Sequence, residues 1–311
     1  LQAGIESRND LVKGSRIKSG IASTYELSFF SKTELKLNQN LKSQIGIRIP
    51  YHSIYPAPIS PSLELLYSKS SKIQYRASYA RGFRAPTIKE LFMEFIDFNH
   101  NIVGNSELEA EYSHAFNSSI VYTPYQKDTK YIQIDIQGSL QYLNNKIGLA
   151  QIENTTGYTY FNVSNAKYYG LNTTIDSKVS KSSKIRLGWN IYKTELNESL
   201  DPTRFQNISF LYKYFNSQHK FGANINLKYT PEITSQRYQD NELVSVKQEP
   251  FESINLNFNK TFIKLNSTLS LGIKNLTNLK NINSIGGGIH SSSESILSWG
   301  RTFFINLKTT L

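Results

Sequence analysis

Apolar residues recur at every second position along most of the chain. In 23–37, Tyr25, Leu27, Phe29, Leu35 and Leu37 share one face, while Glu26, Ser28, Lys32, Glu34 and Lys36 share the other. In 131–142, Ile132, Ile134, Ile136, Leu140 and Tyr142 oppose Gln133, Asp135, Gln137, Ser139 and Gln141. The same alternation sets Phe221, Ala223, Ile225, Leu227 and Tyr229 against Lys220, Asn224, Asn226 and Lys228, and Ile254, Leu256 and Phe258 against Ser253, Asn255, Asn257 and Asn259. Period two with one polar face is the signature of strands, and the chain yields fourteen of them. The other ten fall near 1–10, 42–55, 61–69, 72–83, 110–123, 158–179, 183–197, 203–217, 264–275 and 300–310.

A water-soluble sandwich would alternate in the same way, so strand length and loop length have to decide. Several predicted strands exceed the five or six residues usual in soluble sheets and suit a tilted membrane span. The connections alternate between longer ones, near 10–22, 55–61, 84–109, 152–158, 197–203, 230–250 and 276–299, and mostly short ones near 39, 71, 126, 181, 218 and 263. Outer-membrane barrels have short periplasmic turns and long extracellular loops, which puts the first set outside. Amide-rich inner faces, such as Asn224 and Asn226, suit a hydrated lumen.

Composition adds three constraints. Mean hydropathy is −0.42 and no run approaches the roughly 18 apolar residues of a membrane helix. A barrel escapes that test because only alternate residues face lipid. Aromatic residues make up 13% of the chain, with 20 Tyr and 17 Phe, as expected for belts at two membrane interfaces. The absence of cysteine removes thiol catalysis and cysteine-ligated zinc. A net charge of +11 is spread along the strands rather than gathered in a patch, so it predicts a basic lumen or mouth attracting anionic solutes and not a nucleic-acid surface. Residues 1–10 already have a strand's pattern, with no leader-like segment before them, which predicts that the chain begins partway through a larger fold.

No constellation has a catalytic pattern. His52, His100, His114, His219 and His290 lack metal-pair spacing, and Gly286-Gly287-Gly288 lacks the lysine of a phosphate cradle. His114 and His219 lie on predicted strands as structural residues, and His52 follows Tyr51 as a lumen or belt residue. The most informative stretch is Tyr75 to Glu111. A strand over 72–83 climbs to Phe83-Arg84-Ala85-Pro86, breaks into a long segment carrying His100, and resumes after Gly104-Asn105. Pro86 cannot donate to a ladder and biases Ala85 away from a helix, so the strand has to stop there. Arg84 continues the polar face of that strand and is expected to point into the lumen, either bracing the loop or plug or meeting an anionic ligand group. Phe92, Phe95 and Phe98 alternate with Glu94 and Asp97 and either pack beneath the loop or stack on a flat ligand.

These residues also carry a family resemblance. Phe83-Arg84-Ala85-Pro86, with Gly104-Asn105-Ser106-Glu107-Leu108-Glu109-Ala110-Glu111, resembles the FRAP and GNPxLxPE boxes of TonB-dependent outer-membrane receptors, departing at Ser106 and Ala110. Gly272-Ile273-Lys274-Asn275-Leu276-Thr277-Asn278 is similar to the family's GxxNLFN, and the last strand, with Phe303 and Phe304, resembles an outer-membrane assembly signal except that it ends in Leu311. The resemblance covers essentially the whole chain. It implies an all-β transmembrane antiparallel barrel in which residues 1–311 supply the C-terminal part, about 14 of about 22 strands, with a plug and the first strands lying upstream. It also implies active uptake of a scarce, bulky nutrient, with no intrinsic cofactor and no enzymatic activity. Haem leads, followed by a ferric siderophore or cobalamin.

Haem receptors of this family carry a histidine between the two boxes, which nominates His100 as an iron ligand if the cargo is haem. His290, in the last external loop, joins Arg84, Phe95 and Phe98 as a candidate ligand contact. The implied partners are a TonB-type energy-coupling protein acting through the missing N-terminal region and outer-membrane lipid, with a surface lipoprotein left open and nucleic acid excluded. The rival reading is a non-transporting surface or assembly barrel.

Overall fold

A computed structural model describes residues 1–98, 100–152, 155, 157–196, 202–239, 242–283, 294–296 and 298–309. Its main body is one antiparallel meander. In chain order the wall strands are β1 (Gln2–Lys13), β2 (Ile21–Lys36), β3 (Leu41–His52), β4 (Ser60–Ser70), β5 (Ile73–Arg84), β6 (Glu111–Lys127) and β7 (Lys130–Gln151). They continue as β8 (Tyr158–Lys178), β9 (Ser183–Leu196), β10 (Thr203–Asn216), β11 (Phe221–Thr230), β12 (Phe251–Phe262), β13 (Ser267–Lys274) and β14 (Thr302–Thr309). Each strand pairs with its sequence neighbour, and among the described residues no pairing joins β1 to β14. All fourteen coincide with strands expected from the alternation.

The sheet is a single layer. Among the described residues nothing packs against the apolar face, so Phe29, Ile49, Ile136, Trp189, Ile208 and Ile305 are all exposed. Soluble monomers rarely expose an apolar patch beyond a few hundred Å², and this one runs the width of fourteen strands. Lipid is the solvent that accepts it, with every interior strand's backbone satisfied by its neighbours. Among the described residues no helix is long and apolar enough to cross a membrane. The opposite face holds a cavity of about 650 Å³ lined by polar side chains, among them Lys42, Gln44, Glu64, Arg76, Asn117 and Gln137.

The turns on one side are 37–40, 71–72, 128–129, 179–182, 217–220 and 263–266, and the longer connections all lie on the other. One of the two shortest, Asp128-Thr129, depends on Asp128 at φ +53°, a left-handed conformation that Asp tolerates better than most residues. His219 sits in the 217–220 turn rather than on a strand, because Asn216 Oδ1 accepts its backbone N–H at 2.8 Å and folds the chain before β11 begins.

Candidate functional site

Buried apolar side chains are almost absent from the wall. Among the described residues most of them gather in one place, with Ala166 and Ile233 elsewhere: Ile17, Ile88, Leu91, Ile102, Leu108 and Ala110 are each less than a tenth exposed. All belong to the connection 85–110 between β5 and β6 or to the facing loop 14–20, so this mouth loop has a small core of its own. Pro86 ends β5 as expected. Beyond it the chain coils into a helix, α1 (Ile88–Phe92), which the alternation did not foresee. Its cause is local: the Thr87 hydroxyl accepts the Glu90 N–H at 3.2 Å while the Glu90 carboxylate accepts the Thr87 N–H at 2.7 Å, a reciprocal capping box. A short hairpin, Glu94–Ile96 against Asn101–Val103, comes next, and its second strand pairs parallel with Tyr158–Thr159 at the start of β8.

The motif residues build the frame of this loop. Arg84 lies on the inner face and its guanidinium bridges two carboxylates. Nε donates to Glu111 Oε2 at 2.7 Å and Nη1 to Glu90 Oε1 and Oε2 at 3.2 and 3.0 Å. Glu111 Oε1 accepts the Ile147 N–H at 2.7 Å, which extends the brace to β7. Burial pushes the Glu90 carboxyl up, but the Thr87 N–H, the Arg84 guanidinium and the Thr87 hydroxyl outweigh it and leave the group below the ordinary glutamate range. Phe83 turns to the other face, its ring centroid 5.8 Å from that of Tyr112 and 6.4 Å from that of His52. His52 is itself buried, its Nδ1 accepting the Ile54 and Tyr55 N–H groups.

Gly104 fits where a side chain cannot. A Cβ there would lie 2.7 Å from Leu91 C and Phe92 N of α1. Asn105 donates through Nδ2 to Tyr160 O at 3.0 Å and through its backbone N–H to Glu90 O at 2.8 Å. Leu108 is buried, and its carbonyl accepts the Tyr55 hydroxyl of the second long loop at 3.0 Å. The first long loop joins the same assembly: Glu94 N donates to Arg16 O at 2.8 Å, Lys18 N to Phe92 O at 3.0 Å, and Met93 bridges Ile17.

At the tip of the hairpin the aromatic and imidazole groups meet. The rings of Phe95 and His100 stack with centroids 4.5 Å apart, and the Arg16 guanidinium lies 4.2 Å from the Phe95 centroid. Asp97 Oδ1 accepts both the His100 backbone N–H at 2.9 Å and Nδ1 at 2.8 Å. A carboxylate can only accept, so Nδ1 is the protonated ring nitrogen. Phe98 is fully exposed. Phe95, Phe98 and His100 thus share one hairpin, while Arg84 is engaged at the loop's base. His290 and Leu311 lie outside the described residues. His114 faces outward and hydrogen-bonds the Tyr79 hydroxyl at 2.9 Å.

Sequence reasoning missed Thr87 and Glu90, although Thr-x-x-Glu directly after Pro86 was the signal for them. It also missed Arg16, and Asn145 and Asn162, which hold Glu109 through bonds to its side chain and backbone. Nothing in their local pattern distinguishes those three. The Gly272–Asn278 motif pins the last long loop. Asn275, at φ +54°, donates through Nδ2 to Leu279 O and Ser298 Oγ and accepts the Leu279 N–H. Asn278 Oδ1 accepts the Arg301 N–H. Among the described residues no group of three or more His, Asp or Glu side chains is placed to hold a metal ion.

The family model described as TonB dependent receptor-like, beta-barrel, matches residues 5–276. Among curated proteins, none matches the chain. Among solved structures, the siderophore receptor PirA of Pseudomonas aeruginosa superposes with a TM-score of 0.72 at 14% identity, over 98% of this chain and 50% of PirA. A mutant of the ferric enterobactin receptor PfeA of the same organism, in complex with enterobactin, gives a TM-score of 0.75 at 17% identity, over 98% of this chain and 51% of PfeA. The FrpB iron transporter of Neisseria meningitidis gives 0.73 at 10% identity, again over 98% of this chain and 51% of the other. At these identities the likeness is one of fold, and the chain spans about half the length of each structure. The fourteen-stranded lipid-facing wall, its FRAP strand and the matched family model together establish that this chain belongs to the TonB-dependent receptor β-barrel family of the bacterial outer membrane.

Proposed function

We propose that the chain forms the C-terminal wall and part of the mouth of an outer-membrane receptor that binds a bulky iron chelate and passes it inward. In this reading residues 1–311 are one barrel domain, its two sheet edges pair with further strands, and a plug coupled to a TonB-type protein supplies the motion. The observation that carries the proposal is the mouth loop 85–110. It is folded on its own core, tied to two other long loops and to β8, and presents a ring-rich hairpin tip. A receptor needs such a rigid platform to hold a cargo without ordering a loop at each binding event.

The cargo this geometry suits best is haem. Phe98 offers an exposed flat face, and the Phe95 ring, held between Arg16 and His100, positions a cation for an anionic side group and an imidazole oriented by Asp97 as metal-ligating histidines commonly are. With Nδ1 committed to Asp97, Nε2 is the atom that would meet iron. A ferric siderophore is the second reading, favoured by the siderophore receptors among the structural neighbours. The matched structures are receptors and transporters, which speaks for uptake rather than catalysis.

The test is titration of the full-length receptor in neutral detergent with haem. A red-shifted Soret band that is lost in His100→Ala and retained in His114→Ala supports haem. An unchanged Soret band in the wild type, with tight binding of a ferric catecholate instead, would establish the siderophore reading. Failure to bind any iron chelate would overturn both.

A further inference from the structure

The register aligns the outward side chains of β5 to β9 in rows. One row reads Tyr75, Ile120, Ile136, Thr173 and Trp189, and another, two residues higher on each strand, Ala77, Ser118, Gly138, Leu171 and Ile191. The next is Tyr79, Phe116, Leu140, Tyr169 and Lys193, continued by Arg204 on β10, and above it stand Arg81, His114, Tyr142, Lys167 and Glu195. Rows of large side chains thus bracket a row whose first three members are small. The result is a mostly apolar groove of about 570 Å³ in the lipid-facing surface, floored by Ala77, Ser118 and Gly138 and walled by Phe116, Leu140 and Leu171. That volume falls within the roughly 300–1,000 Å³ of small-ligand sites.

Cations sit at one end of this groove. Lys193 lines it and lies over the Tyr169 ring, 5.4 Å from the centroid. Lys193 is directly opposite Arg204 across the β9–β10 pair, and Lys167 is opposite Glu195 on the adjoining β8–β9 pair. Like charges directly opposite on a sheet face destabilise it, and among the described residues Glu195, paired with Lys193, is the one carboxylate in this patch for three cations. The aromatic row places these groups at headgroup depth, where Tyr and long basic side chains concentrate, on the side of the long external loops. The groove below lies at acyl-chain depth.

We infer that this groove binds a phosphorylated, anionic lipid of the outer leaflet, one acyl chain against Gly138 and its phosphate between Lys193, Arg204 and Lys167. The charge complementarity selects the anionic lipid over a zwitterionic one. It also selects a lipid over a second copy of the chain, whose own matching face would bring the same cations.

The test uses full-length receptor in neutral detergent, titrated with phosphatidic acid and with phosphatidylcholine of the same chain length, bound lipid being counted by native mass spectrometry. Phosphatidic acid is expected to bind about tenfold or more tightly than phosphatidylcholine, and inorganic phosphate should not displace it. Lys193→Gln with Arg204→Gln should bring the two lipids to equal affinity. Gly138→Leu should weaken both, and a Cβ at Gly138 meets only Ser118 Oγ at 3.6 Å, so the wall accommodates it. Heat-modifiable migration on gels confirms that each variant is folded. Equal affinity for the two lipids in the wild type overturns the inference. So does unaltered binding in folded Gly138→Leu, or a change in oligomeric state in that variant without a change in lipid binding.

Discussion

Replacing Arg84 with Gln removes one guanidinium and leaves two carboxylates facing each other. The Arg84 side chain is 42% exposed, whereas Glu90 and Glu111 are 16% and 11% exposed. Charge-assisted hydrogen bonds contribute about 1.5–3 kcal/mol each. Solvent around the guanidinium screens the pairs and lowers that figure, while the two carboxylates, mostly withdrawn from water, raise the loss when their partner goes. Glu90 keeps its bonds to Thr87 and Glu111 its bond to Ile147, so the capping box and part of the β7 contact survive. Together these set the expected loss at about 2–4 kcal/mol of the free energy holding loop 85–110 closed, which is about 30- to 1,000-fold in an opening equilibrium. The assay is hydrogen exchange on the full-length receptor. It follows the Leu91 amide bonded to Thr87 O, the Gly104 amide bonded to Met93 O and the Asn105 amide bonded to Glu90 O, with β11 amides as the internal reference. Arg84→Lys keeps the charge without the planar fork and should fall between wild type and Gln. Acceleration below about threefold at all three amides, with β11 unchanged, would refute the reasoning.

Three further outcomes rest on the same geometry. Because the folded Glu90 carboxyl titrates below its ordinary value of 4.5, its contribution is fully present above that value and is lost as pH falls through the lower folded value. A spin label at Phe98→Cys, unambiguous in a cysteine-free chain, should keep one mobility from pH 7 down to about pH 4.5 and loosen further only in acid below that. Gly104→Ala should weaken the loop by about 1–3 kcal/mol by pushing Cβ into the α1 backbone, whereas Gly14→Ala, with nothing within 4 Å of its new Cβ, should leave loop exchange unchanged. Asn275→Ala should loosen the last long loop, since it loses the side-chain bonds to Leu279 O, Ser298 Oγ and the Leu279 N–H and the left-handed preference of Asn at φ +54°, and protease should then cut within 276–283 at unchanged wall stability.

The wall was legible in the sequence because each strand faces two unlike solvents, and alternation of oily and polar residues is all that such a strand requires. Leu27, Phe29, Ile132 and Ile136 announced their side without reference to any other strand. The side of each loop was legible too, since short turns and long loops alternate without exception. The interior of the mouth loop was not. Thr87 and Glu90 carry a local signal that the alternation obscured, but Arg16, Asn145 and Asn162 act on residues far away in the chain, through partners that no local pattern names. His100 was visible as a histidine between two motifs, while its stacking on Phe95 and its bond to Asp97 depend on a hairpin whose register only the folded chain sets. Arg84 shows the middle case: its inward direction followed from strand parity, and its two carboxylate partners did not.

The most direct test of the central claim is a pair of single cysteines at adjacent positions of β7. Ile136 is exposed on the apolar face and Gln137 lines the polar cavity. In receptor reconstituted into bilayers, a fluorophore at Ile136→Cys should be quenched by lipid-borne nitroxide and shielded from aqueous iodide, and one at Gln137→Cys should show the reverse. Equal quenching of both labels by the aqueous reagent, or an exchanged order, would contradict a wall with lipid on one side and water on the other.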